Sequence, residues 1–256
     1  MGVNDFANDF IRVEHVSRTF EEKEGPLKVL DDVSFSMAKG ELTCLLGASG
    51  CGKSTLLRAI AGLDTGHEGT VTIGGKPVLK PEKTRGIVFQ EHRLFPWLTV
   101  EQNVAFALNG VDKKEKKKLV QKYIDLVDLT GFEKTFPGNL SGGMAQRAGI
   151  ARALVNQPET ILLDEPFGAL DAFTKIAMQE ELKKIQKRSG VTTIVVTHDI
   201  EEAVFLADNI IILSSRPGRI KRTVRITLPE PRDRNSDEFT RVKRDIYGEF
   251  FEQSTP

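Results

Sequence analysis

Apolar and polar residues alternate over residues 11–16, a pattern typical of a strand with one buried face. Residues 29–37 are a second candidate strand. Residues 70–79 predict a hairpin of two short strands around the dipeptide Gly74-Gly75. The first part of the chain therefore predicts a small antiparallel sheet beside the main fold.

Four later segments are short, apolar and rich in β-branched residues, as are strands buried on both faces of a parallel sheet. No segment of this kind lies within residues 91–157, where Thr99 and Asp112 each begin a sequence that fits a helix-starting capping box. The order predicts an α/β fold with a parallel sheet, an antiparallel β subdomain and a helical insertion. The four apolar segments are 42–46, 86–89, 160–163 and 192–196.

The composition excludes several classes of protein. The 256 residues are 39% hydrophobic, enough for one large domain, and 36 basic residues balance 36 acidic ones, so no global charge attracts nucleic acid or an anionic membrane. The two cysteines, Cys44 and Cys51, do not form a disulfide framework and favour a reducing compartment. Signal-peptide features are missing, and no apolar run approaches the roughly 20 residues of a membrane-spanning helix.

A polar feature follows each of the four apolar segments, where the predicted strand ends. The first is followed by a glycine-rich loop, and the others by Gln90, by Asp164 with Glu165, and by His198. Ligands of open α/β sheets bind at the carboxyl ends of the strands. The pattern therefore predicts one shared site.

The glycine-rich loop, GASGCGKS, matches the phosphate-binding pattern G-x-x-x-x-G-K-[ST]. A phosphate chain needs inward-pointing backbone N–H groups, which side chains would obstruct, and the helix predicted to start near Lys53 adds its dipole. Lys53 would reach the β- and γ-phosphates, and the Ser54 hydroxyl would bind Mg²⁺. An ordinary glycine-rich turn is the alternative. The residues assigned to this loop are Gly47, Ala48, Ser49, Gly50, Cys51, Gly52, Lys53, Ser54 and Thr55.

Two further segments carry candidate chemistry. Asp164 stands where a second carboxylate that organises Mg²⁺ is expected, and Glu165 would reach a water that attacks the γ-phosphate. Ser141 and the glycines after it precede a predicted helix over 145–156 and form a second candidate anion site. Taken alone, Asp164 and Glu165 would lie in an ordinary solvated turn, and Ser141 with its glycines would be a helix cap. The phosphate loop in the same chain favours a functional interpretation of both segments.

Together these segments resemble the nucleotide-binding subunit of ATP-binding cassette (ABC) transporters over about residues 10–225. The similarity rests on Walker A GASGCGKST, Gln90, the signature LSGGM followed by Gln146-Arg147, Walker B TILLDE, the D-loop GALD and the switch histidine His198. The finer similarity is to nitrate, sulfonate and taurine importer ATPases. It rests on FQEHRLFPWLTVEQNV, DEPFGALDAFTK, SRPGRI and LPEPRDR.

The resemblance implies a P-loop NTPase core with a helical signature subdomain, and a head-to-tail homodimer. ATP would lie between Walker A of one subunit and the signature of the other. Ser141, Gly142 and Gly143 would thus bind nucleotide held by the partner, and Asp171 would arrange the interface.

The same resemblance assigns roles to three other residues. Phe20 would stack on adenine, with an ordinary packed phenylalanine as the alternative. Gln90 would bind Mg²⁺ and link it and the attacking water to the transport domain, and His198 would contact the γ-phosphate.

The resulting expectation is an ATPase that powers uptake of a small solute, with no nucleic-acid partner. An integral membrane permease and an extracytoplasmic solute-binding protein would be its partners, at the cytoplasmic face of the inner membrane. The expected domain is 10–228, with a helical subdomain at about 91–157 and a tail at 229–256. The alternatives are an ABC ATPase that regulates a membrane complex without import, and a soluble ABC ATPase acting in DNA repair or on ribosomes.

Four weaker features have open interpretations. Residues 94–98 would form either a permease-binding patch or part of the core. The basic residues of 216–225 would lie either near lipid headgroups or on the exposed face of a strand. The lysines of 113–118 predict a solvated helix face. A thiol reagent at Cys51 is expected to block ATP binding.

Overall fold

The computed structural model describes residues 9–91 and 93–251, apart from the side chain of Phe251. The chain divides into two compact units. The first comprises residues 1–56, 66–77 and 196–256, and the second comprises residues 57–65 and 78–195.

An antiparallel sheet in the first unit confirms the sheet predicted from the alternating segments. Its strands lie in the order β2-β1-β4-β5, and Gly74 and Gly75, both at positive φ, form the predicted hairpin turn. β1 is longer than the predicted 11–16 because register shifts around His15 interrupt the alternation without ending the strand. The strands are β1 (Asp9–Glu22), β2 (Gly25–Ala38), β4 (Glu68–Ile73) and β5 (Lys76–Pro77).

The first unit also holds three strands of a mixed sheet. β3 (Leu42–Leu46) is buried throughout and runs parallel to β9 (Asn209–Leu213), which pairs antiparallel with β10 (Ile220–Arg225). Residues 220–225 of the basic segment therefore form a strand, with Lys221 and Arg225 exposed on it, while Arg216 and Arg219 precede this strand. Helices α6 (Ile200–Leu206) and α7 (Asp237–Phe251) complete this unit.

In the second unit β6 (Arg85–Val88) runs parallel to β7 (Thr160–Asp164), and β8 (Thr192–Thr197) neighbours β7. The described residues between 91 and 157 contain helices and no strand, as predicted. The helices that lie in this unit are α2 (Val100–Phe106), α3 (Lys113–Leu126), α4 (Gly142–Leu154) and α5 (Ala172–Ser189), while α1 (Lys53–Ala61) begins in the first unit.

Side-chain caps explain where these helices start. Thr99 forms the predicted capping box with Gln102, and the Asp112 carboxylate accepts the backbone N–H groups of Lys114 and Glu115. The predicted start of α4 at residue 145 is wrong by three residues. Ser141 caps the helix by accepting the Met144 N–H at 3.3 Å, so the two glycines form its first turn.

None of the helices in the described part of the chain has both the length and the apolar character that crossing a bilayer requires.

Candidate functional site

The phosphate loop follows β3 and enters α1 at Lys53. Gly50 and Gly52 adopt φ values of 77° and 102°, which only glycine tolerates readily. A Cβ on Gly52 would lie 2.6 Å from Leu30 Cδ2, and a Cβ on Gly47 would lie 2.7 Å from Cys51 Sγ. The loop is thus held against its neighbours where it is buried, while Ala48, Ser49 and Gly50 are exposed.

Lys53 fixes the start of this loop. Its side chain is only 4% exposed, and Nζ donates hydrogen bonds to the carbonyl oxygens of Gly47 at 2.8 Å and Ala48 at 2.9 Å. Ser54 and Thr55 follow half-buried in the first turn of α1. The loop therefore places an ammonium group and two hydroxyls beside exposed backbone at a helix N-terminus, which is the chemistry of an anion site.

Cys51 is enclosed by the loop. It is 1% exposed, its Sγ lies 4.0 Å from Lys53 Nζ, and burial raises the pKa of the thiol against an opposing effect of Lys53. Because the thiolate is the reactive form, this thiol is poorly placed for fast modification. The effect of a thiol reagent on ATP binding stays a prediction.

His198 lies beside the phosphate loop in the first unit. It follows β8 and is exposed, and the next residue, Asp199, caps α6 by accepting the Glu202 N–H at 3.1 Å. Sequence reasoning had placed the loop and His198 together, but it missed two aromatic residues of α7 that line the same cavity. The cavity measures about 390 Å³ and is lined by Gly47, Ala48, His198, Asp199, Ile200, Tyr247 and Phe250.

Phe20, predicted to stack on adenine, is half-buried near the end of β1. The Arg18 guanidinium carbon lies 4.2 Å from the centre of its ring, and an Arg18 nitrogen donates to the Gly66 carbonyl at 2.7 Å. A cation therefore covers one face of this ring, which no feature of the sequence had indicated.

In the second unit Gln90 and Glu165 both lie beside Gly168. A Cβ on Gly168 would lie 3.1 Å from Gln90 Nε2 and 3.7 Å from Glu165 Oε2. Glu165 has a left-handed φ of 45°, uncommon for a residue with a side chain and frequent at functional sites. Asp164 is the half-buried last residue of β7. Gln90 and Glu165, two of the predicted strand-end residues, therefore lie close to the same glycine in this unit.

The signature segment packs on the D-loop and the start of α5. A Cβ on Gly142 would lie 3.1 Å from Leu170 Cδ2, and one on Gly143 would lie 3.1 Å from Thr174 Cγ2. Ser141 and Gly142 remain exposed at the N-terminus of α4.

Asp171 has a structural task that the sequence analysis did not identify. Its carboxylate caps α5 by accepting the N–H groups of Phe173 and Thr174, both at 3.1 Å. Hydrogen bonds from the Thr174 side chain and from these backbone groups lower the pKa of Asp171. The carboxylate therefore stays ionised at neutral pH.

The segment 94–98 divides between the two interpretations left open for it. Leu94 is buried, whereas Trp97 is 68% exposed and Phe106 is 57% exposed. The Phe95 ring lies between them, 5.6 Å from Trp97 and 4.5 Å from Phe106 by ring centres. The segment therefore anchors in the core and also presents an aromatic surface.

The family of the chain follows from its sequence. The profile of the ABC transporter family matches residues 30–168, more than half of the chain, so the chain belongs to that family and is an ABC transporter ATPase. It is 47% identical over 240 residues to the aliphatic sulfonates import ATP-binding protein SsuB of Bacillus cereus, which covers 94% of this chain and 95% of that protein. It is 45% identical over 246 residues to the nitrate import ATP-binding protein NrtD of Synechocystis sp., covering 95% and 92%.

Solved structures agree with the fold. A dimeric post-hydrolysis structure of the ATP-binding cassette MJ0796 with ADP and Pi matches with a TM-score of 0.73 at 34% identity, over 84% of this chain and 98% of that chain. CbiO1 of Clostridium perfringens matches with a TM-score of 0.76 at 28% identity, over 85% and 89%. The predicted family and fold class are confirmed.

Proposed function

We propose that this chain hydrolyses ATP to power uptake of a small solute of the sulfonate or nitrate kind through a membrane permease. The observation that carries the proposal is that Gln90 and Glu165 both lie beside Gly168, in a chain that also holds an intact phosphate loop. The class of solute is supported by relatives that are import ATP-binding proteins and match more than nine-tenths of the chain.

The phosphate loop suits a nucleoside triphosphate. The positions where a Cβ would collide, Gly47 and Gly52, leave room only for backbone, and Lys53 is already held at the loop by two carbonyl groups. In this proposal the backbone N–H groups bind the phosphates and Lys53 neutralises part of their charge.

Mg²⁺ is the metal that the remaining donors fit. Ser54, Gln90 and Asp164 offer a hydroxyl, an amide and a carboxylate oxygen, which are hard ligands. Mg²⁺ is commonly held by few protein oxygens together with substrate phosphates. When bound, the ion supplies charge neutralisation at the phosphates.

Three side chains then act on the water and the terminal phosphate. Glu165 accepts the proton of the attacking water, Gln90 beside it orients that water and senses the permease, and His198 contacts the γ-phosphate from the cavity shared with the phosphate loop.

The signature segment acts on a second copy of the chain. Ser141, Gly142 and Gly143 bind the nucleotide of the partner through the N-terminus of α4, and Asp171 orders the interface by capping α5. The dimeric state of the similar cassette MJ0796 supports this arrangement.

The wider assembly includes a permease and an extracytoplasmic solute-binding protein, with this chain at the cytoplasmic face of the membrane. The exposed aromatic surface at Trp97 and Phe106 is the proposed docking site for the permease. Residues 10–228 form the nucleotide-binding domain in this proposal.

Glu165→Gln tests the catalytic assignment. Because the amide cannot accept the proton, we expect kcat to fall by about 10²–10⁴-fold while ATP affinity is unchanged. Glu180→Gln, the same change at an exposed glutamate of α5, is the matched control. Turnover of Glu165→Gln close to that of the wild type would contradict the role of Glu165.

A second experiment tests the importer assignment. The tagged chain, purified from gently solubilised membranes, should carry a multi-span permease, and ATPase activity should rise when the solute-binding protein is loaded with a sulfonate or with nitrate. Recovery with ribosomes or nucleic acid, and without a permease, would overturn the importer while leaving the ATPase chemistry intact.

A further inference from the structure

Helix α7 presents one face toward α6. Residues spaced three or four apart lie on the same side of a helix, and in α7 these include Phe239, Lys243, Ile246, Tyr247 and Phe250. Phe239 and Ile246 are 1% and 0% exposed, so this face is anchored in the core of the first unit.

The first turn of α6 is tied to the C-terminal residues by ion pairs. Lys243 Nζ lies 3.0 Å from Glu201 Oε2, and Arg234 Nη1 lies 3.5 Å from Glu201 Oε1. The Arg234 guanidinium carbon also lies 3.7 Å from the centre of the Phe205 ring. The C-terminal residues therefore hold α6 along its length.

The last turn of α6 is held by Arg232. Its Nη1 donates to the carbonyl oxygens of Val204 at 2.7 Å and Phe205 at 3.0 Å, and the residue is only 8% exposed. A guanidinium at this position satisfies carbonyl groups that the end of a helix leaves without a partner. Residues 232–250 thus fix both ends of a helix of seven residues.

His198 stands immediately before this fixed helix. Only Asp199, the N-cap, separates it from α6, so the position of α6 sets where the His198 backbone lies. Tyr247 and Phe250 line the same cavity as His198 and the loop residues Gly47 and Ala48. Tyr247 is 44% exposed, so its side chain is only partly buried.

We infer that Tyr247 is a positioning residue for His198, and that the face of α7 formed by Phe239, Lys243, Ile246, Tyr247 and Phe250 helps to shape the nucleotide site. The ring of Tyr247 forms a wall of the cavity and restricts His198 to the orientation that meets the terminal phosphate. This inference rests on the proposed function, because it assumes that His198 contacts that phosphate.

Tyr247→Ala and Tyr247→Phe test the inference. Because a small displacement of a catalytic group lowers the rate, we expect Tyr247→Ala to reduce kcat about tenfold at unchanged ATP affinity. Tyr247→Phe keeps the ring and should therefore have the kcat of the wild type. Arg244→Ala, at an exposed position of the same helix, is the matched control and should leave kcat unchanged.

A double-mutant cycle distinguishes action through His198 from a general loss of structure. If Tyr247 acts through His198, then Tyr247→Ala causes no further loss of kcat in a His198→Ala background. An equal fold-loss in both backgrounds, unchanged kcat in Tyr247→Ala, or weakened ATP binding would each overturn the inference.

Two further results keep the test decisive. If Tyr247→Ala does not fold, Lys243→Ala can be measured in its place. This substitution removes the partly exposed ion pair that holds α7 to Glu201, and it should lower kcat at unchanged ATP affinity. Unchanged kcat in that folded variant would count against the inference. A His198→Ala enzyme with normal kcat would instead contradict the proposed role of His198 in hydrolysis.

Discussion

Two glycine-rich segments of this chain lead into helices, and the structure holds them differently. In the phosphate loop, Gly52 has a φ of 102° and a Cβ there would approach Leu30 at 2.6 Å and the Val29 carbonyl oxygen at 3.0 Å. In the signature segment, neither Gly142 nor Gly143 has a left-handed φ, and the nearest atoms to an added Cβ are side-chain carbons at 3.1 Å.

The difference teaches that a helix N-terminus after glycines is not by itself a nucleotide site. The phosphate loop has a fixed backbone and its own buried cation, Lys53. The first turn of the signature helix has no basic residue, Ser141 is exposed, and the glycines there serve close packing on Leu170 and Thr174. We therefore expect the first segment to bind nucleotide within one chain and the second to act on a partner.

The largest expected effect is the difference in stability between alanine substitutions at Gly52 and at Gly142. Gly52→Ala combines a left-handed φ with a collision against the Leu30 side chain and a tight contact with the Val29 carbonyl oxygen. It should lower the free energy of unfolding by about 2–4 kcal/mol. Gly142→Ala meets only a flexible side-chain end in a helix, and should change that free energy by less than about 1 kcal/mol. Denaturant titration of both variants measures this contrast, and equal costs would remove it.

The second prediction concerns how firmly the phosphate loop is closed around Cys51. Because the thiol is buried and its pKa is raised, we expect a thiol reagent to label it at least about tenfold more slowly than in the unfolded chain. The rate should keep rising with pH beyond the range of an ordinary thiol, since thiolate forms later. A Cys44→Ala variant assigns the signal to Cys51.

Labelling as fast as in the denatured protein would mean that the loop opens readily. The tight packing of the phosphate loop, on which the contrast with the signature segment depends, would then not persist in solution.

The smallest effect is expected at the signature segment. Ser141→Ala removes a single exposed cap bond of 3.3 Å, and should lower the free energy of unfolding by about 0.5–1 kcal/mol. ATP binding by the monomeric chain should be unchanged, because this hydroxyl is proposed to act on the partner. Ser141→Thr serves as the conservative control, and loss of ATP binding by the Ser141→Ala monomer would place the segment in its own nucleotide site.

The features that were predictable from the sequence have local causes. Strands β3, β7 and β8 consist mostly of apolar and β-branched residues because both of their faces are buried. The phosphate loop is recognisable in the sequence by its glycines, because left-handed φ values and close contacts exclude side chains at particular positions. Thr99 and Gln102 form a capping box from residues of one helical turn.

Other features were not predictable, because they depend on residues distant in the sequence. The helix α4 starts at Gly142 instead of residue 145, where packing on Leu170 and Thr174 replaces the helix propensity that glycine lacks. The strand β1 continues past the interruption at His15 because β2 and β4 pair with it on both sides.

The sequence by itself determined the family, the strand order along the chain and the types of side chain that the chemistry requires, because motifs and periodicity depend on neighbouring residues. Only the tertiary structure decided that Cys51 is enclosed, that Arg18 covers Phe20 and that Tyr247 lines a cavity with His198. Burial and contact depend on how distant segments pack together, and no short stretch of sequence contains that information.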